Sequence, residues 1–249
     1  MGCVRKLEIF DKEADLVTFA ARLWHEIVAE SIAARGCMDV ALSGGKTPVH
    51  AYKALARDGS FPWNDIRIFQ VDERFVPQDH EASNYRMIRE TLLDRVLIPE
   101  TNVHPVNTGA SSTNEAAKAY EEELTGYFRL DQGSFPRFDL IMLGLGEDCH
   151  TASLFPGSPS TTDTEHLVNA VMLGNVLHDR ITLTIPVINN ARNIVFLVEG
   201  RRKAAALSRV MEKKDPGLPA SLIEPVDGRL FFLVDREAAG LLSTAGVKA

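Results

Sequence analysis

A chain of 249 residues that is 45% hydrophobic and 24% charged carries enough apolar side chain for a large core, which excludes intrinsic disorder and a coiled coil. A formal charge of −7 leaves no basic footprint for nucleic acid, and no apolar run reaches the ~18 residues that span a bilayer. Cys3, Cys37 and Cys149 form neither a disulfide framework nor a CxxC pair. The expected setting is therefore a reducing cytoplasm, with no membrane or nucleic-acid partner and a monomer or small homo-oligomer. The opening MGCVRK lacks the apolar segment of a signal peptide and departs from a myristoylation start at Arg5 and Lys6.

Lys6–Phe10 predicts a first strand and Asp11 a helix cap. Leu16, Phe19, Leu23 and Ile27 then form the buried stripe of a helix from about Lys12 to Ala34, which Gly36 ends. Trp24 reads as packing on that face. A second strand, Asp39–Leu42, runs directly into Ser43, Gly44, Gly45, Lys46, Thr47 and Pro48, with a helix continuing through Leu55. Such a turn aims backbone N–H groups and the positive end of a helix at an anion. A strand-to-helix turn needs its glycines with nothing bound as well, so both readings stand on this stretch alone.

Ile66–Val71 predicts a third strand, ending in Asp72, Glu73 and Arg74, charges that need partners wherever they are buried. A helix from Asn84 to Val96 has Ile88, Leu92 and Leu93 as its apolar face, with Tyr85 as packing. Asn102–Pro105 reads as a short strand, and a helix around Asn114–Phe128 places Glu121–Glu123 on its solvent side. The apolar run from Phe138 to Leu143 predicts a buried parallel strand, followed at once by Gly144, Gly146, Glu147, Asp148 and His150. Chemistry in an open parallel sheet sits beyond the carboxyl ends of the strands, so this loop is the first candidate site.

After Pro156 the sequence is irregular. Arg180–Val187 alternates like a half-buried strand that is antiparallel or at an edge. Asn193–Val198 is a core strand, and GRRKAAALSRVM a helix with Lys203 in its first turn. A short helix at Ala220–Ile223, a strand at Leu230–Val234 and a turn or helix at Asp235–Leu242 close the chain. The alternation predicts an α/β fold, an open and mainly parallel sheet with helices on both faces in a Rossmann-like three-layer arrangement. No repeat or linker divides it, so residues 1–249 read as one catalytic domain with a peripheral sub-structure near 157–190.

GLGEDC lacks the third glycine of a dinucleotide loop, and neither Ser43 nor Ser153 sits in GxSxG. Cys149 adjoins His150, but His166 and His178 lack metal-ligand spacing, so neither a metal nor a cofactor is expected.

The ordered blocks SGGKTP, VDERFVP, Asn84–Tyr85, GLGEDCHTASLFP, RITLTIPVINNAR and GRRKAA resemble the motifs of 6-phosphogluconolactonases, within the glucosamine-6-phosphate isomerase and 6-phosphogluconolactonase superfamily. The resemblance implies hydrolysis of 6-phospho-D-glucono-1,5-lactone to 6-phosphogluconate in the oxidative pentose phosphate pathway. The isomerase branch typically carries an acid before the proline of its H-x-A-x-x-x-P segment, whereas this chain has Phe155 before Pro156, and reads DER rather than DEY at Asp72–Arg74.

Lactone hydrolysis needs a positioned water, a base near neutral pKa, and donors facing the oxyanion. His150 is the candidate base, with Asp148 to orient it and Arg74 among the catalytic residues. The substrate phosphate is assigned, partly through the resemblance, to Ser43, Gly44, Gly45, Lys46, Thr47 and Lys203, with Arg74 and Arg180 as further anion contacts. Asp72 would hold Arg74 or bind sugar hydroxyls. Cys149 stands where the family pattern has glycine; a positive φ there would introduce about 1–2 kcal/mol of strain. The rivals are a related sugar-phosphate isomerase or deaminase, and a non-catalytic sugar-phosphate binder.

Overall fold

Strand β6, Leu140–Gly144, lies at the centre of the molecule because it is apolar on both sides: Ile141 and Leu143 point into one hydrophobic layer, Leu140 and Met142 into the other. The computed structural model describes residues 2–174, 178–213 and 215–243. Around β6 a seven-stranded, wholly parallel sheet is assembled in the order β1-β10-β9-β6-β2-β3-β5. Its other strands are β1 (Val4–Phe10), β2 (Met38–Leu42), β3 (Ile66–Gln70), β5 (Val103–His104), β9 (Asn193–Val198) and β10 (Arg229–Asp235).

Helices cover both faces, as the alternation predicts. On one face α1 (Glu13–Arg35), α2 (Lys46–Arg57) and α3 (Asn84–Thr91) pack Ile27, Leu55 and Ile88 against Met142 and Leu197. On the other, α4 (Thr113–Phe128) sets Tyr120 and Leu124 against Phe69 and Leu143, and the helix α5 (Ile185–Asn189) and the helical run containing α6 (Ala204–Ser208) add Val187 and Leu207. Each fully buried Leu or Ile of these faces contributes about 1.5–3 kcal/mol by leaving water. Gly36 ends α1 in the left-handed region, φ 78, donating its N–H to the Ile32 carbonyl. Trp24 packs edge-on to Phe61, as read from the sequence.

A second, three-stranded antiparallel sheet, β4-β8-β7, is built from β4 (Asp72–Arg74), β7 (Val168–Val171) and β8 (Arg180–Leu183). The stretch near 157–190 thus joins a strand from far upstream. It also includes residues 175–177, outside those described.

Several local expectations need correction. Asp11 does not cap α1: the cap position is Lys12, without a side-chain bond, and Asp11 instead accepts from Arg236 Nε at 2.6 Å. The expected strand Arg180–Val187 stops at Leu183, because Pro186 has no N–H to give a sheet and occupies the first turn of α5. Of the two alternatives for that strand, antiparallel or at an edge, the first holds: β8 is the middle strand of its antiparallel sheet. Glu121 and Glu123 are not simply solvated, since Glu121 Oε2 accepts the Leu167 and Val168 N–H groups at 2.7 and 3.0 Å and Glu123 pairs with His104 at 2.8 Å. The helix expected through Val96 ends at Thr91, followed by a 3-10 turn.

The strand order reverses between β2 and β6. From β2 the chain proceeds outward through β3 to β5; from β6 it proceeds the other way through β9 to β10. An open α/β sheet leaves a crevice at such a switch point, beyond the carboxyl ends of the strands.

Candidate active site

The segments after β2, β3, β6 and β9 converge on that crevice and line a cleft of about 660 Å³. Of the expected residues, Ser43, Gly44, Gly45, Lys46, Thr47, Asp72, Arg74, His150 and Lys203 lie on its wall. Asp148 and Arg180 do not line it, but each neighbours a residue that does: Asp148 pairs with His150, and Arg180 stands opposite Arg74 in the β4–β8 ladder.

One half of the cleft is made by the start of α2. Gly45 precedes the helix at φ 114 and ψ 169, a conformation that a Cβ disfavours, and no side chain caps the helix, whose start at Lys46 and Thr47 lines the cleft. Ser43 has a different task from the one expected: its Oγ donates to the Met142 carbonyl at 2.6 Å and so ties the ends of β2 and β6 together. Thr47 neighbours the carboxyl of Glu199, which burial, and then the neighbouring Glu13, push above the usual carboxylate range. Lys203 enters on a 3-10 turn, Arg201–Lys203, that begins at Gly200, whose N–H donates to Asp235 Oδ2 at 2.9 Å.

The opposite half is the loop after β6. His150 Nδ1 lies 2.5 Å from Asp148 Oδ1, and the His150 N–H donates to the same oxygen at 3.1 Å. Burial opposes ionisation of Asp148, but these contacts and the His150 charge prevail and hold its carboxyl below the ordinary value. A Cβ on Gly146 would fall 2.1 Å from His150 Nδ1 and 2.5 Å from Asp148 Oδ1, so only glycine permits the pair to fold over this turn. The imidazole leans on Phe155, with ring centroids 4.8 Å apart. Cys149 is fully buried at φ 70, the left-handed conformation in which glycine is expected; its N–H donates to the Gly146 carbonyl at 3.1 Å.

Between the halves, Asp72 Oδ2 accepts from Ser153 Oγ at 2.7 Å. Arg74 Nη1 donates to the Ala82 carbonyl at 2.6 Å, rather than being held by Asp72. Arg180 is Arg74's partner in the β4–β8 register; burial and then the Arg74 charge lower its pKa from the usual guanidinium value.

The cleft residues that sequence reasoning missed include Asn84, Glu199 and Arg202. Glu199 follows β9 directly, so the strand-end argument that found Asp72 and His150 also pointed there. Arg202 Nε bonds Glu147 Oε1 at 2.8 Å across the mouth of the cleft. The fold also gathers Glu13, His50 and Glu199, whose ligand-type atoms lie within 4.8 Å of one another; no spacing in the sequence announces this group. His50 and Glu13 form an ion pair at the surface.

The family model for glucosamine-6-phosphate isomerases/6-phosphogluconolactonase matches residues 11–232. The chain belongs to this family. It is an enzyme of the 6-phosphogluconolactonase branch, being 47% identical over 214 residues to a 6-phosphogluconolactonase of a Synechocystis strain, an alignment that covers 85% of this chain and 87% of that one. The structure of 6-phosphogluconolactonase from Trypanosoma brucei superposes with a TM-score of 0.83 at 30% identity, over 96% of this chain and 99% of that one. A monomeric glucosamine-6-phosphate deaminase shares the fold at a TM-score of 0.79 and 20% identity, over 95% and 99% of the two chains. The backbone is thus common to both branches, and side chains must separate them. Phe155, whose ring leans on His150, is the side chain that the sequence expectation singles out for this. Among the described residues no helix is long and apolar enough to cross a membrane.

Proposed function

We propose that the chain hydrolyses 6-phospho-D-glucono-1,5-lactone to 6-phosphogluconate in the cytoplasm, with His150 as general base. The observation that carries this reading is the pairing of Asp148 with His150, which lines a cleft that the uncapped start of α2 and Lys203 also line. Asp148, ionised, accepts from Nδ1 and so leaves Nε2 with the free lone pair. Nε2 takes a proton from water as the water oxygen bonds to the lactone carbonyl carbon, and the carbonyl electrons move onto oxygen. Collapse of that oxyanion breaks the bond to the ring oxygen, which receives the proton from the imidazolium. The new carboxylic acid then ionises.

Arg74, Lys203 and the open N–H groups of α2 supply the positive field for the phosphate and the oxyanion. Arg180, beside Arg74 across the β4–β8 ladder, adds to that positive charge, and Asp72, which accepts from Ser153, would meet sugar hydroxyls. None of these steps calls for a metal or cofactor. Purified protein assayed with fresh 6-phosphogluconolactone, spontaneous hydrolysis subtracted, and separately with glucosamine 6-phosphate tests the reading. Rapid acid production supports it; ammonia release would place the chain with the deaminases, and saturable binding without turnover would make it a binder.

A further inference from the structure

Glu73 is 0% exposed, and its carboxylate collects five hydrogen bonds. Oε1 accepts from the Arg74 and Asn84 backbone N–H groups, both at 2.7 Å. Oε2 accepts from the Tyr85 N–H at 2.7 Å, Gln70 Nε2 at 2.8 Å and Ser83 Oγ at 3.1 Å. A buried carboxylate is expensive unless its lone pairs are used, and here the first N–H groups of α3 and the helix's positive end use them. Its donors include the backbones of two residues whose side chains line the cleft. The Arg74 guanidinium rests on the Ala82 carbonyl, in the same turn that Glu73 grips through Ser83 and Asn84. Asn84 donates from Nδ2 to the Asp72 carbonyl at 2.9 Å, and its Oδ1 lies so close to Gly44 that a Cβ there would sit 1.8 Å away. One carboxylate therefore fixes β4, the start of α3 and the glycine turn after β2 relative to one another.

We propose that Glu73 is a positioning residue for the phosphorylated end of the substrate, acting through Arg74 and Asn84; this rests on the lactonase reading above. Glutamine at this site presents an NH₂ group to donors in either orientation, so it keeps the shape of Glu73 while breaking the cage. Binding of 6-phosphogluconate by calorimetry, together with kcat and KM for the lactone, tests the proposal. Glu73→Gln is expected to weaken 6-phosphogluconate binding and raise KM by about tenfold, with kcat within about threefold of the parent. In an Arg74→Ala, Asn84→Ala background the same substitution should add less than about twofold, the non-additivity of groups acting in series. A fall in kcat with KM unchanged, or effects that multiply in that background, would overturn it. If Glu73→Gln fails to fold, Ser83→Ala removes one donor with the carboxylate intact and should raise KM in the same direction; an unchanged KM would count against the proposal. Parent protein that binds 6-phosphogluconate but turns over no lactone would sink the reaction reading instead, leaving the binding measurement to judge Glu73.

Discussion

Gly146 and His150 are in contact across a turn that leaves no room for a methyl group: a Cβ on Gly146 would stand 2.1 Å from Nδ1 of the imidazole. The position of the proposed base is therefore set by an absent side chain as much as by Asp148. His150→Ala is expected to lower kcat by about 10²–10⁴-fold, the usual worth of a positioned general base. Gly146→Ala should lower kcat in the same direction by driving the ring off Asp148, with the fold retained. A Gly146→Ala enzyme with parental kcat would show that the Asp148 contact does not matter for turnover.

Cys149 sets two terms against each other. Its φ of 70 costs about 1 kcal/mol or more relative to glycine, while its buried side chain gains about the same by leaving water. Cys149→Gly should therefore shift the melting temperature by no more than about 4 °C in either direction. Relief of strain next to His150 should preserve or raise kcat/KM. A large fall in kcat/KM would reject strain as the consequence of this cysteine.

The parallel sheet and the place of the cleft were legible because both follow from local signals. Apolar runs such as Leu140–Leu143 mark strands, and the polar residues immediately after them mark the cleft. What escaped the sequence depends on partners distant along the chain. Asp72–Arg74 looks like a charged loop but forms β4 because Arg180–Thr182, some hundred residues later, completes its ladder. Ser43 looks like a phosphate donor but is taken by Met142, across the sheet. Glu121 looks solvated on a helical wheel, and only the arrival of Leu167 and Val168 gives its carboxylate a use. Hydrogen-bond partners at such separations leave no periodicity to read.

Glu199 carries a pH signature. Burial, and then Glu13, raise its carboxyl above the unfolded value of about 4.3. The fold thus pays nothing for Glu199 below the unfolded pKa, and bears the full penalty of ionising it above the folded one. Glutamine keeps the shape of the side chain and never ionises. Glu199→Gln should melt about 1–3 °C higher than the parent at pH 8, with the gap closing by pH 4, a modest gain because the group is partly open to solvent. Melting curves across that range check the sign: a gap that widens on acidification would mean that Glu199 ionises more readily in the fold than out of it.

Lys203 gives the most direct test of where the phosphate goes. It stands on the cleft wall, on a turn whose preceding glycine is anchored to Asp235. A charge-assisted hydrogen bond to a substrate anion is worth about 1.5–3 kcal/mol, so Lys203→Ala should raise KM for the phosphorylated lactone by roughly 10–150-fold. The phosphate is remote from the carbonyl, and its contact is made equally in the bound substrate and the transition state, so kcat should change little. Competitive inhibition by inorganic phosphate should weaken by a similar factor, since the same contact is lost without any sugar present. If kcat falls while phosphate inhibits the variant as it does the parent, Lys203 faces the oxyanion instead. The phosphate would then belong to the start of α2 and Arg74.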